Sequence, residues 1–314
     1  MNRQFYRPTL KKLLTNQKLK VMRKLISIMF IGMLVASFIL SSCKKDDSPS
    51  LPTITYKQAT GYVSANTTAA YNDSLNFSVT AKWNGTNKLI KFQIYSNGVE
   101  LKDSTINTQE FVYNFYTYKT YSDKDVWKFV TTDIAGNTKS DSLTITGNFG
   151  DIYTYNSLTF GAQKNTTEKG FASFSNGTST MYSQADAFNH QADIDLMCFY
   201  EDTLTHVNKM TLSSPGAHIT GIYTGSTSPE LYTNMSITYF SKTTFTASQF
   251  DGITKDAALI YGFGTGTGYR KANLLTVGDV WAFKLQSGKY GLFKVTAVQG
   301  TQAGTLQIAV KIQK

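Results

Sequence analysis

Residues 129–146, with the sequence FVTTDIAGNTKSDSLTIT, decide the fold of the first half of the chain. Residues 126–132 and 142–146 are rich in β-branched residues, and polar and apolar side chains alternate along residues 142–146. Between them, the sequence DIAGN favours a turn, because Asp133 can hydrogen-bond its own turn and Gly136 accepts a positive φ. The segment therefore predicts a hairpin of two antiparallel strands.

The residues upstream of this hairpin repeat the same pattern. Two runs predict strands with one buried face, namely Leu75, Phe77, Val79 and Ala81, and then Ile90, Phe92 and Ile94. Asn97-Gly98 follows the second run and is the strongest short hairpin signal, since both residues tolerate positive φ. Residues 111–115 predict a further strand. About seven short strands in residues 60–147 predict a small β-sandwich.

The hairpin at residues 129–146 resembles the last two strands of bacterial immunoglobulin-like domains, in which a D-x-A-G-N turn joins them. The resemblance implies an Ig-like sandwich for residues 60–147. Two cysteines, Cys43 and Cys198, are the only ones in the chain, and neither lies in this unit. An antibody-type disulfide is therefore excluded.

Residues 151–314 predict a second, larger antiparallel β domain of sandwich or jelly-roll type, so the fold class is all-β. The run IDLMCFY, residues 194–200, predicts a central strand that is apolar on both faces. Residues 280–285 and 290–298 predict a hairpin around Ser287-Gly288-Lys289. The alternating pattern of residues 306–313 predicts a last strand with one buried face, formed by Leu306, Ile308, Val310 and Ile312.

The segments ADIDLMCFYED, GDVWAFKLQSGKYGLFKVTAV and LQIAVKIQK resemble a C-terminal domain found in Bacteroidota lipoproteins of unknown function. The resemblance covers most of residues 151–314 and implies no activity. The boundary between the two units is predicted at residues 147–150, where a Gly-Asn-Phe-Gly sequence ends the alternating pattern.

Residues 25–43, LISIMFIGMLVASFILSSC, predict where the protein is located. The apolar run is too short for a comfortable membrane span and follows Arg23 and Lys24, as in a secretory signal. Its end resembles the lipobox of bacterial lipoproteins, which implies cleavage before Cys43 and acyl chains on that residue. Residues 1–42 are then leader and signal peptide, and residues 43–59 form a flexible tether. Met22 is the expected start, with a long basic leader from Met1 as the alternative, and an uncleaved anchor helix is the alternative to the lipobox.

The sequence CKKDDS resembles the start of surface-exported Bacteroidota lipoproteins, which implies a lipid-anchored position on the outer membrane of a Gram-negative envelope. The chain carries a formal charge of +10, but eight of its basic residues lie in residues 1–42 with no acid. Almost equal numbers of acids and bases follow, so a nucleic-acid partner is not expected. Cys198 is expected to be a small buried hydrophobe, with pairing between molecules as the alternative.

Ionisable side chains are densest in residues 190–206, which contain His190, Asp193, Asp195, Glu201, Asp202 and His206. On one strand, Asp193 and Asp195 would share a face about 6.5–7 Å apart. That pair fits a structural role at the strand entrance, a weak Ca²⁺ site or a glycosidase pair. The structural role is favoured, and no cofactor is expected. The glycine-rich residues 262–268 fit no phosphate-binding template and are interpreted as a flexible loop or strand bend.

Aromatic side chains crowd residues 113–127. Most are expected to fill the core, but Tyr116, Tyr118, Tyr121 and Trp127 are candidate ligand-binding residues, because exposed rings can stack on sugars. The favoured function is a non-enzymatic binding or adhesion module with a glycan ligand. A structural or accessory subunit of an outer-membrane complex is the alternative, and a hydrolase that uses Asp193 and Asp195 is a weaker one.

Structural features separate these functions. Exposed coplanar rings favour glycan binding, and a large exposed apolar patch favours a protein partner. A cleft that holds Asp193 and Asp195 with a raised pKa favours a hydrolase.

The lipobox predicts that Cys43→Ser abolishes acylation, because the thiol is the acceptor of the lipid. We expect no palmitate label and a precursor-sized protein in the variant, measured by metabolic labelling and gel migration. Cys198→Ser should label like the wild type. Palmitate incorporation that survives in Cys43→Ser would contradict the lipobox.

Overall fold

The structure is a computed structural model that describes residues 51–83, 85–202 and 209–314. The protein is all-β, as predicted, and four sheets account for its strands. The leader, the signal segment and Cys43 lie outside the described residues. Within these residues, no helix is long and apolar enough to cross a membrane.

The first half forms a sandwich of two sheets. Sheet 1 has three antiparallel strands and sheet 2 has five, in the orders β1-β3-β6 and β2-β8-β7-β4-β5. All neighbours are antiparallel except β2 and β8. The strands are β1 Thr53–Tyr56, β2 Thr67–Ala69, β3 Ser74–Lys82, β4 Leu89–Ser96, β5 Val99–Thr108, β6 Glu110–Tyr118, β7 Lys124–Asp133 and β8 Thr138–Gly147.

The predicted hairpins and their turns are confirmed. The Asp133 carboxylate accepts hydrogen bonds from the backbone and side-chain nitrogens of Asn137 at 2.8 and 2.9 Å, and Gly136 has a φ of 86°. Asn97 and Gly98 join β4 to β5 with φ values of 49° and 83°. The Asn97 side chain also accepts a hydrogen bond from the Val126 backbone, which ties this turn to β7.

Two details of the sequence analysis are corrected. Thr53–Tyr56, assigned to the tether, forms β1 and pairs with β3, since Ile54 completes the core between the sheets. Ile90, predicted to face inward, is exposed, whereas Leu89 is buried. The register of β4 shifts between Leu89 and Lys91, and a bulge of one residue exchanges the faces of the strand at that point.

The second half forms a sandwich of two antiparallel five-stranded sheets. Sheet 3 has the order β11-β10-β12-β13-β15, and sheet 4 has the order β14-β16-β17-β18-β9. The strands are β9 Ile152–Gly161, β10 Phe171–Ser175, β11 Thr178–Tyr182, β12 Leu196–Tyr200, β13 Met210–Ser213, β14 Tyr239–Lys242, β15 Lys271–Ala272, β16 Val280–Lys284, β17 Tyr290–Gln299 and β18 Thr305–Gln313.

The predicted central strand and its cysteine are confirmed. Every residue of β12 is buried, and the strand lies in the middle of sheet 3. Cys198 belongs to the core between sheets 3 and 4, where its thiol lies 3.7 Å from the Met210 sulfur. Burial raises the pKa of this thiol, so Cys198 is an unreactive hydrophobic residue.

The described residues include three short helices that the sequence pattern did not predict: α1 Gln184–Asn189, α2 Ala247–Gly252 and α3 Ala257–Phe263. Because Phe250 of α2 and Leu259 of α3 pack on sheet 4, the C-terminal half of β18 is buried on both faces rather than on one. Lys311 is buried there and donates to the carbonyls of Phe250, Asp251 and Ile253 at 2.6–2.9 Å. Its ammonium thereby satisfies the last carbonyls of α2.

The glycine-rich residues 262–268 are not simply a loop or strand bend. Gly262 and Phe263 are the last residues of α3. Gly264 follows with a φ of 75°, a conformation that favours glycine at the end of a helix.

The two halves meet at an aromatic cluster, here called the junction cluster, of Tyr71, Tyr121, Phe245 and Tyr261. Tyr121 stacks on Tyr261 with ring centroids 4.4 Å apart. The connecting residues are also fixed, because the Gly150 backbone donates to Asp256 at 2.8 Å. A Cβ on Gly150 would lie 2.7 Å from the Asp256 carboxylate, so a larger residue would displace this carboxylate.

The loop between β6 and β7 encloses a buried ion pair. The Lys119 ammonium lies 3.1 Å from the Asp125 carboxylate, and both side chains are at most 1% exposed. Lys119 also donates to the carbonyls of Thr120 and Ser122, and Asp125 accepts from the backbone and hydroxyl of Thr120. The hydrogen bonds offset the cost of removing both charges from water.

Removing one charge of this pair should destabilise the protein strongly. Asp125→Asn leaves the Lys119 ammonium buried without its counter-charge, and we expect a loss of about 3–5 kcal/mol in the free energy of unfolding. Urea denaturation measures this loss.

Asp103→Asn is the matched control, because Asp103 forms a half-exposed ion pair with Lys91 at 3.0 Å. The free energy of unfolding of this variant should fall by no more than about 1 kcal/mol. Equal losses in the two variants would show that burial of the Lys119–Asp125 pair is not what stabilises the loop.

Candidate functional sites

The structure separates the four predicted ligand-binding aromatics. Trp127 is a core residue and not a ligand-binding one, which corrects the prediction. Exposed and buried side chains alternate along β7, and Trp127 shares the inward face of the strand with Phe129. Its ring centroid lies 5.2 Å from that of Phe77 and 5.5 Å from that of Phe115. Trp127 therefore has no ring face for a ligand.

Tyr121 belongs to the junction cluster. One face of its ring packs on Tyr261, and Phe245 meets it at 87° with centroids 5.8 Å apart. The residue also lines a cleft of about 360 Å³ together with Asp123 and Lys255. Its packing across the junction gives Tyr121 a structural role that the sequence did not reveal.

Tyr116 and Tyr118 remain as exposed rings. They are 68% and 51% exposed and lie two residues apart on β6, an edge strand of sheet 1, so they share its outer face. Their ring centroids are 6.2 Å apart, but the ring planes meet at 85°. The pair is therefore not the coplanar platform that the sequence analysis associated with glycan binding.

A polar cleft lies beside these rings. In the register of β3 and β6, Asn76 is opposite Tyr116 and Ser74 is opposite Tyr118, and directly opposite side chains share a face. Ser74 and Asn76 line a cleft of about 340 Å³ whose other wall is the segment 61–67. In the part of the chain that the structure describes, none of the residues that line this cleft is charged. We call Ser74, Asn76, Tyr116 and Tyr118 the tyrosine face.

The predicted pair of carboxylates does not share a strand. Asp193 ends a short 3₁₀ helix, Gln191–Asp193, and Asp195 lies just before β12. The expected strand face shared by both carboxylates is thus wrong, because the strand begins one residue after Asp195. Asp193 is exposed and lies 3.7 Å from the His190 ring, whereas Asp195 is largely buried.

Asp195 nevertheless lines a cleft of about 460 Å³ between the end of sheet 3 and the β16–β17 turn, together with Asp193, Ser173, Tyr182 and Gln286. We call this the Asp195 cleft. One oxygen of Asp195 accepts a hydrogen bond from the Phe174 backbone at 2.7 Å. Burial, and to a smaller extent the charge of Asp193, raise the pKa of Asp195 to about 6 against the lowering effect of that bond. This meets the criterion given above for a hydrolase. Both carboxylates, however, come from one short segment of chain, whereas a glycosidase pair flanks the scissile bond from two sides.

The other predicted ionisable residues lie elsewhere. Glu201 follows the opposite end of β12 and forms an ion pair with Lys271. Its distance from Asp195 along the strand is about 20 Å, at about 3.3 Å per residue. Asp202 is exposed beside it, and His206 lies outside the described residues. Within the described ranges, no three His, Cys, Asp or Glu side chains are grouped to hold a metal ion.

Sequence reasoning missed Gln286, which lines the Asp195 cleft from the β16–β17 turn. Its side-chain oxygen accepts a hydrogen bond from the Ile237 backbone at 2.8 Å, which orients the amide. Gln286 is 91 residues from Asp195 in the sequence, and no local pattern marks it. Only the packing of sheet 3 against sheet 4 brings the two residues to one cleft.

No family model matches the sequence, and no curated protein matches it. Among solved structures, a DUF4466 family protein from Parabacteroides merdae has 15% identity and a TM-score of 0.36, covering 84% of this chain and 99% of that one. Fibronectin(III)-like modules of Clostridium thermocellum CbhA have 15% identity and a TM-score of 0.22, covering 31% of this chain and 47% of that one. A CARDB domain from Pyrococcus furiosus has 16% identity and a TM-score of 0.22, covering 31% and 97%. TM-scores of this size carry no argument about function.

The raised pKa of Asp195 predicts a pH-dependent stability. Because its pKa is about 6 in the folded protein and near 3.8 ordinarily, the folded state binds more protons between these values. The contribution of this carboxyl to stability is therefore complete below pH 3.8 and is lost as the pH rises through about 6. Asp195→Asn should be more stable than the wild type at pH 8, by about 1–3 kcal/mol, and this gain should shrink at pH 4. Denaturation at both pH values measures it.

Asp193→Asn is the control, since Asp193 is exposed in the same cleft. Its change in stability should be smaller than that of Asp195→Asn at pH 8. A gain in Asp195→Asn that is equal at pH 4 and pH 8 would contradict the assigned ionisation.

Proposed function

We propose that this protein is a lipid-anchored cell-envelope binding module without enzymatic activity, and that its ligand is a glycan bound at the tyrosine face. The observation that carries the proposal is the pair of exposed rings, Tyr116 and Tyr118, beside an uncharged polar cleft. Neutral sugars combine apolar C–H faces with hydroxyl groups. Aromatic rings provide contact for the former, and amide and hydroxyl side chains bind the latter.

The geometry also suggests the shape of the ligand. Rings whose planes meet at 85° cannot both lie flat on one ribbon-like chain. They can contact two sugar units whose faces are turned relative to each other. The Asn76 side chain lines the cleft and donates to the Gly61 carbonyl at 3.2 Å, so its amide oxygen is the group left to accept a hydrogen bond.

The anchor and the location are part of the proposal and rest on the sequence around Cys43. Residues 43–52 connect the lipidated end of the chain to β1. These ten residues span at most about 35 Å. Two or more acyl chains give stable anchoring. The binding unit would therefore lie close to the outer-membrane surface.

A glycan array of the chain from residue 43, with Cys43→Ser to keep it soluble, tests the tyrosine face. A ring face that covers about 60 Å² of sugar contributes about 1.5 kcal/mol. We therefore expect each of Tyr116→Ala and Tyr118→Ala to weaken binding about tenfold. Titration calorimetry with the best array ligand measures the change.

Tyr269→Ala is the matched control. Tyr269 is 67% exposed, much like Tyr116, and lies in the second half of the chain. Its variant should bind as the wild type does. The proposal fails if the array shows no ligand, or if the Tyr116 and Tyr118 variants bind as tightly as the control.

A subunit of an outer-membrane complex is the second candidate function. The supporting observation is β5, an edge strand of ten residues whose Val99 and Leu101 side chains are exposed. Edge strands with exposed apolar residues pair readily with other chains. A photo-crosslinking amino acid at Leu101 should give one discrete adduct in intact cells, whereas the exposed Ile134 position should give none. Absence of an adduct at Leu101 removes this candidate.

A further inference from the structure

The Asp195 cleft has features that the proposed function does not use. It lies at the end of the second sandwich, where the β10–β11 hairpin of sheet 3 meets the β16–β17 turn of sheet 4. At about 460 Å³, it lies within the usual range of small-molecule sites. Loops that meet on a fixed scaffold are common places for ligand sites.

Its polar groups are held in place and partly unused. One oxygen of Asp195 is bonded to the Phe174 backbone, and its other oxygen accepts no hydrogen bond within the described residues. The Gln286 oxygen is bonded to the Ile237 backbone, so its amide nitrogen is the group left to donate. The cleft therefore offers an oriented acceptor and an oriented donor.

The charge of the lining restricts the ligand. Asp193 and Asp195 are acidic, and among the described residues no Lys or Arg lines the cleft, which disfavours an anion. The described residues hold no group of three metal-ligating side chains, so a tightly bound divalent cation is disfavoured as well. The other lining groups are mainly hydroxyls, including those of Ser173, Thr180 and Tyr182. A neutral ligand with several hydroxyls fits this lining.

We propose that the Asp195 cleft is a second carbohydrate site, which binds one neutral sugar unit without cleaving it. Asp195 accepts from one sugar hydroxyl, and Gln286 donates to a neighbouring one. The ligand class is that of the proposed function, but the site lies in the other half of the chain and does not require the tyrosine face.

Saturation-transfer NMR tests the site with a panel of neutral monosaccharides and their methyl glycosides at millimolar concentration. We expect at least one to bind the chain from residue 43 carrying Cys43→Ser. Gln286→Ala should weaken binding about tenfold, because Gln286 is exposed and its loss removes a ligand donor without disturbing the core. Asp195→Asn should weaken it to a similar degree at pH 7.5, since a hydrogen bond to an ionised acceptor is stronger than one to a neutral amide.

The pH profile separates a ligand contact from a structural role. The titratable groups beside Asp195 are Asp193 and Tyr182 in the lining, and His190 next to Asp193. Binding should weaken from pH 7.5 to pH 5 in the wild type and in His190→Gln, as Asp195 becomes protonated. It should change less in Asp195→Asn. A variant that only disturbs the fold would not flatten the profile.

Further variants keep the two sites distinguishable. The Tyr116→Ala/Tyr118→Ala double variant should retain monosaccharide binding, and Asp103→Asn is the control for the loss of a surface carboxylate. Three results would overturn the proposal: no bound monosaccharide, binding unchanged in both Gln286→Ala and Asp195→Asn, or binding lost in the tyrosine double variant. Release of methanol from a methyl glycoside that stops in Asp195→Asn would also overturn it and identify a hydrolase.

Discussion

The buried ion pair between Lys119 and Asp125 is the constraint on which the arrangement of the two halves depends. The chain crosses there from sheet 1 to sheet 2, and the Thr120 amide and the carbonyls of Thr120 and Ser122 form hydrogen bonds with the ion pair. Backbone groups that lose water need partners. The Lys119 ammonium and the Asp125 carboxylate supply them, so that the loop has one well-defined course with the Tyr121 ring directed away from the sandwich core.

The junction cluster follows from that course. Tyr121 lies in the loop between Lys119 and Asp125 and stacks on Tyr261 of α3. The same helix begins after Asp256, whose carboxylate accepts from Gly150 in the connection between the halves and from the Gln313 side chain near the C terminus at 2.9 Å. Aromatic packing and a shared hydrogen-bonding residue thus hold the halves together. Tyr121, which the sequence suggests as a ligand contact, thus packs between the two halves of the chain.

Local patterns predicted much of the fold because hairpins depend on residues close in sequence. Alternation located β3, β6, β7 and β8, and the Asp133 and Asn97-Gly98 turns formed as their residue types require. The errors occurred where tertiary packing decides. The bulge at Leu89–Lys91 reverses a face without a glycine or proline to mark it. The helices α2 and α3 are too short for a periodic signal, yet they determine that Lys311 is buried.

The candidate sites depend even more on tertiary packing, which a local sequence pattern does not show. A strand pattern shows that Tyr116 and Tyr118 share a face, but only the register of β3 against β6 puts Asn76 and Ser74 beside them. For the Asp195 cleft the predicted strand face was wrong, because β12 begins after both carboxylates and Asp193 lies in a short 3₁₀ helix. Its acceptor and donor come from Asp195 and Gln286, on different sheets. A sequence records the chemistry of such residues, whereas the contact between two sheets decides that they form one site.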